Sequence, residues 1–122
     1  METSILTSTK KILGISSDYL AFDLDIITHI NATFATLRQL GVGPTVGFMI
    51  EDETLAWEDY IQLNDPMLNM CKTYVFLKVR YLFDPPTTPY HVTAVKEQIA
   101  EYEWRLNEFR EEVTPWTTPT LI

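Results

Sequence analysis

The chain carries one cysteine, two histidines and nine basic residues against seventeen acids in 122 positions, and each shortage closes off a class of protein. The single Cys71 leaves no disulfide framework and no thiolate quartet for zinc. Set inside an apolar stretch, it reads as a buried, inert thiol. His29 and His91 stand far from each other and from Cys71, so no pair has metal-ligand spacing. A net charge of −8 argues against the basic surface by which general nucleic-acid binders hold phosphates, without excluding a surface past which DNA slides without adhering. No apolar run approaches the ~18 residues that span a bilayer. The opening METSILTSTKK places its lysines after its apolar residues, the wrong order for a secretory signal. The expectation is a protein folding in a cytoplasm, without a membrane partner.

Glycine is also scarce. Gly41, Gly43 and Gly47 miss the spacing G-x-G-x-x-G by one position, follow a helix instead of a strand, and lack the Gly-Lys-Ser/Thr of a phosphate loop. They read as a hinge. No Ser-His-Asp or Cys-His grouping is picked out by local spacing. Residues 51–65 hold six acids and no base, but no second carboxylate cluster accompanies them. A solvated acidic face opening a helix explains them better than the metal site of a nuclease. No catalytic, cofactor-binding or metal-ligating residue is expected, and the chain reads as no enzyme.

What is present is apolar: 46% hydrophobic residues, 12% of all residues aromatic, in a length suited to one core. The richest stretch is 65–86, DPMLNMCKTYVFLKVRYLFDPP. Asp65 stands at a helix N-cap, Pro66 at the first helical position, and Asp84-Pro85-Pro86 ends the run. The helix between is apolar on most sides, so it must be covered on most sides.

Around it the pattern predicts a small all-α bundle of about five helices. Ile5, Leu6, Thr9, Ile12 and Leu13 share a stripe over 3–13, with Gly14 as the stop. Ser16, Ser17 and Asp18 offer a cap for a helix over 19–40, in which Phe22, Ile26, Ile27, Ile30, Phe34 and Leu37 keep a spacing of threes and fours. A short helix over 54–63 turns Trp57, Tyr60 and Ile61 inward. Thr88 caps the last helix, which runs to about 112. Its Val92, Val95, Ile99, Tyr102, Leu106, Phe109 and Val113 alternate three and four apart, a seam suited to antiparallel packing on 65–83.

Two segments are left without partners. Val46, Phe48 and Ile50 alternate as in a strand, giving a short extended segment over about 45–51. The tail 114–122, TPWTTPTLI, has two prolines and is expected to be extended, outside a helical domain of 1–113, with Trp116, Leu121 and Ile122 seeking cover. Trp104 lies on the last helix opposite its seam and wants a second contact. Lys72, Lys78 and Arg80 either pair with Glu97, Glu101 or Glu108 or bridge to acids of a neighbouring copy such as Asp52, Glu58 and Asp59. The expected interface set is therefore Phe48, Ile50, Asp52, Glu58, Asp59, Lys72, Lys78, Arg80, Trp104, Trp116, Leu121 and Ile122. Opposite charges on two faces favour head-to-tail association.

The run Lys72-Thr-Tyr-Val-Phe-Leu-Lys-Val-Arg-Tyr-Leu-Phe-Asp-Pro-Pro86 is followed by Glu101-Tyr-Glu-Trp-Arg-Leu-Asn107. It is preceded by Gly41-Val-Gly-Pro44 and Thr54-Leu-Ala-Trp-Glu-Asp-Tyr60. Over 41–107 this resembles the head-tail connector (head-completion, adaptor) proteins of long-tailed bacteriophages; the tail has no counterpart in the resemblance. The resemblance implies a structural virion protein of the neck, assembled in the bacterial host cytoplasm. It implies a homo-oligomeric ring of twelve copies between the portal protein and a downstream connector or tail-completion protein. The ring would extend the DNA channel without sequence-specific binding and offer a docking platform. The alternative reading is a small dimeric helical interaction or regulatory module that uses the seam of the last helix.

Overall fold

Ser4 opens the first helix: its Oγ accepts a hydrogen bond from the Thr7 N–H at 3.3 Å, and Gly14, at φ +79°, lets the chain turn away. In the computed structural model, residues 4–44, 46–61 and 66–121 are described, with 109–121 described in backbone alone. Among them are five helices, α1 (Ile5–Ile12), α2 (Asp23–Gln39), α3 (Trp57–Tyr60), α4 (Pro66–Phe83) and α5 (Pro89–Leu121), and no strand. The fold is all-α, as the apolar spacing predicts.

α2 begins four residues later than expected, and Lys10 is the reason. This lysine is buried, 2% exposed, and its ammonium donates to the carbonyls of Ser17 at 3.3 Å and Tyr19 at 2.8 Å. With these carbonyls turned toward Lys10, 17–22 is held in a non-helical path and the helix starts only at Asp23. The Asp23 carboxylate lies 2.7 Å from the same ammonium, at the helix end that favours negative charge.

The segment expected as a strand is held by a side chain instead. Asn31 of α2 accepts from the Ile50 N–H at 2.8 Å and donates to the Ile50 carbonyl at 3.0 Å. One amide thus supplies both bonds that a paired strand would give this residue. Ile50 is 1% exposed and packs within the subunit. The one isolated bridge among the described residues joins Ser4 to Ala56, and the Ile5 N–H donates to the Leu55 carbonyl nearby at 3.0 Å.

α3 is shorter than 54–63. Its start is delayed because the Thr54 N–H and hydroxyl both turn back to Asp52, and Ile61 already has an extended backbone. Asp59 accepts from the Ala56 N–H at 2.8 Å, one half of a capping box. Gly43 allows this region to close: at φ +89°, a Cβ there would lie 2.7 Å from the Tyr60 ring.

α4 matches the expected helix, although Asp65, its expected cap, lies outside the described residues. It is the centre of the bundle, packed by α1, α2 and α5. It contributes Leu68, Cys71, Tyr74, Val75 and Val79 to a core shared with Ile5, Ile26, Ile30, Phe34, Trp57 and Leu106. Each large side chain so buried contributes about 1.5–3 kcal/mol. The Thr88 hydroxyl accepts from the His91 N–H at 3.3 Å and caps α5. α5 runs antiparallel to α4, since Glu103 meets Tyr74 and Lys78 while Val95 lies beside Tyr81.

The extended tail is corrected as far as Leu121: α5 continues through 114–121. A proline removes its own N–H from the ladder, but its φ near −65° is itself helical, so Pro115 and Pro119 interrupt bonds without forcing an extended chain. The helix backbone crosses the expected 113/114 boundary unbroken. At 33 residues and ~1.5 Å per residue it is roughly 50 Å long, nearly twice α4.

Candidate interaction surface

The three α4 cations have different fates. Lys72 sits over the Trp57 ring, 5.8 Å from its centroid, a cation–π contact on a half-buried stem. Lys78 lies 3.9 Å from Glu103, an acid outside the three expected as its partners. Glu103 is also the acceptor of the Tyr74 hydroxyl at 2.7 Å; burial first, then this bond to a carboxylate, holds the Tyr74 phenol above its ordinary range. Arg80 is exposed and has no ion pair among the described residues.

On the acidic loop, Asp52 is engaged by the Thr54 hydroxyl at 2.6 Å and the Thr54 N–H at 2.9 Å, which together hold its carboxyl below the usual range. Asp59 caps α3. Glu51, Glu53 and Glu58 are exposed and carry no ion pair among the described residues. No group of three or more His, Cys, Asp or Glu among the described residues is arranged to hold a metal ion.

The apolar members of the expected set divide. Ile50 is a correction: its side chain belongs to the subunit's own core, because the Asn31 amide draws its backbone against α2. Phe48 is half-buried, stacked edge-on to Phe34 and Tyr60 with ring centroids 5.1 Å from each. Tyr60 is itself buried, and burial with the neighbouring Cys71 thiol raises its phenol above its ordinary range. Trp104 is 63% exposed, as its place opposite the seam predicts. The side chains of Trp116 and Leu121, and all of Ile122, lie outside the described residues.

The seam of α5 is used within the chain: Ile99 and Leu106 are buried. Phe109 and Val113 have no described side chains. The Glu101–Arg105 pair, at 2.7 Å and more than half exposed, supports its helix by a few tenths of a kcal/mol.

One feature escaped the sequence reading. Tyr19, Leu20, Phe22 and Leu24 all lie exposed at the entry to α2, Leu20 by 67% and Leu24 by 76%. Phe22, expected on the inner stripe, stands outside the helix and contacts Tyr19 and the α4 residue Phe83, with ring centroids 5.6 and 5.3 Å away. The available signal was that Leu20 and Leu24 fall off the stripe carried by Ile26 and Ile30. Four large apolar side chains in six positions make a patch of the kind that marks protein contact.

The described surface is that of a helical subunit with apolar and charged features turned outward. A family model described as phage connector protein matches residues 5–113, and the chain belongs to that family. The resemblance seen over 41–107 thus holds at the level of the family, and its coverage reaches back to α1. No curated protein and no solved structure matches the chain. Membership assigns a structural connector role in a bacteriophage virion, in contact with other virion components. No helix among the described residues is long and apolar enough to cross a membrane.

Proposed function

We propose that this chain forms a homo-oligomeric ring of the phage neck, twelve copies between the portal protein and a downstream connector or tail-completion protein. The ring extends the DNA channel and presents a docking platform. The observation that carries the reading is the exposed Tyr19–Leu24 patch on a chain of the connector family: a rigidly held apolar surface that water does not favour and a neighbouring protein would cover. The net charge of −8 suits a wall along which DNA passes without sequence-specific binding. The competing dimer through the α5 seam is disfavoured, because Ile99 and Leu106 already pack inside the subunit.

Electron micrographs of the purified protein, alone and mixed with portal protein, test the proposal. Rings of uniform diameter stacked on portal are the expected result. A chain that stays monomeric at high concentration, and forms no ring with portal, overturns it.

A further inference from the structure

At the turn between α4 and α5 is a cavity of about 310 Å³, lined by Leu77, Tyr81, Val95 and Pro86, with Arg80 and Asp84 as its charged members. Arg80 and Asp84 stand one helical turn apart, yet no ion pair joins them, so the guanidinium keeps its donors for another acceptor. Toward the other end of α4 is a loop of complementary character. Met49, exposed, is followed by Glu51 and Glu53, also exposed and without ion pairs among the described residues. That loop is fixed at its base, by the Asn31 grip on Ile50 and by the Ser4 hydroxyl donating to the Glu53 carbonyl at 2.8 Å.

We propose that the cavity receives the 46–54 loop of a second copy of this chain, Met49 entering beside Leu77 and Tyr81 while Glu51 and Glu53 meet Arg80. This rests on the self-assembly reading above and names the contact that joins neighbours. A thioether side chain is unbranched and flexible, suited to an irregular apolar hollow. The carboxylates supply what the planar, forked Arg80 head lacks among the described residues of its own subunit.

The two features do not meet inside one chain: no residue of 46–54 lines the cavity. The cavity is built from the C-terminal end of α4 and the following turn, whereas the loop leads into Trp57, which packs on Phe76 and under Lys72. Both are satisfied at once only between copies. A contact joining two different patches is heterologous, and repeated rotation closes it into a ring. Asp84 lies at the same cavity and opposes an incoming acid, so register matters: the arrangement holds when the carboxylates approach from the Arg80 side.

Sedimentation velocity over a concentration series provides the test, on the wild-type chain, Arg80→Glu, the pair Glu51→Lys with Glu53→Lys, and all three changes together. All these positions are exposed, so circular dichroism is expected to match the wild type. Each reversal is expected to raise the concentration for half-assembly by about tenfold or more, and the triple variant to recover most of that loss. Thr87 also lines the cavity, so a second variant, Met49→Cys with Thr87→Cys, is expected to give ladders of disulfide-linked subunits on oxidation, the native Cys71 being buried.

Wild-type oligomers that survive Arg80→Glu unchanged and yield no disulfide ladder overturn this contact while leaving the ring reading intact. Reversals that abolish portal binding but not self-assembly overturn it too, and give the cavity to a portal segment. A wild-type chain that stays monomeric under all conditions overturns both.

Discussion

The two irregular connections on either side of α2 carry similar apolar residues and treat them in opposite ways. In 13–22 and the residue pairs that follow, Tyr19, Leu20, Phe22 and Leu24 point to solvent. In 40–61, Val42, Ile50, Trp57 and Tyr60 are buried, and only Val46 and Met49, at the outer bend of the loop, are left exposed among its large apolar residues. The difference lies in the polar anchor of each. Lys10 reaches out of α1, collects two carbonyls and a carboxylate, and fills the interior beneath the first connection with its own stem, so the apolar side chains are left outside. Asn31 grips the second connection at Ile50 and draws the chain down on α2, so Trp57 and Tyr60 close against Phe34. An apolar residue in a loop is thus core or contact surface according to where the nearest buried polar group takes the backbone.

The strongest way to break this contrast is to empty the inward connection. Trp57 is 1% exposed, contacts Phe34 and Phe76, and donates its indole N–H to Ser8 at 2.9 Å. Trp57→Ala is expected to lower stability by about 3–5 kcal/mol in urea denaturation. A loss below about 1 kcal/mol would mean that 40–61 is held by something other than its aromatic anchor.

The outward connection depends on a single ammonium. Lys10→Met keeps most of the aliphatic stem but leaves Asp23 without its partner and two carbonyls without their donor. The expected loss is about 2–3 kcal/mol, toward the lower side for a buried pair because Asp23 retains some solvent contact. Hydrogen exchange should quicken in 15–22 before it does in α4. If exchange quickens evenly over the whole chain, the clamp is a general core element and does not act on this connection in particular.

The helices were legible because apolar spacing and caps are local. Pro66 and Thr88 signal starts within one turn, and Gly14 and Asp84-Pro85-Pro86 signal stops. The two anchors were not legible. A lysine near the end of an amphipathic helix reads as a charge favourable to the helix dipole, and only the folded chain reveals carbonyls gathered around it. Asn31 reads as a polar gap in a stripe; its partner lies nineteen residues away. The late start of α2 follows from the first anchor, and the absence of a strand at 46–50 from the second. The outward place of Trp104 was readable from helical phase alone. Ile50 was misread because alternation marks a pleated segment without saying what pairs with it.

The smallest effect on stability is expected where the effect on assembly is large. Leu20→Ser and Leu24→Ser each remove an apolar side chain that touches mostly water, so the denaturation midpoint should move by no more than about 0.5 kcal/mol. If the entry to α2 is contact surface, the double variant should keep its helicity yet lose association with other virion components, seen as faster exchange or, for the proposed portal contact, absent co-sedimentation with portal. Stability then rests on the buried Trp57, and the contact made by the entry to α2 on Leu20 and Leu24. A double variant that loses more than 1 kcal/mol while assembling normally would reverse that assignment and make the outward patch a structural element of the subunit.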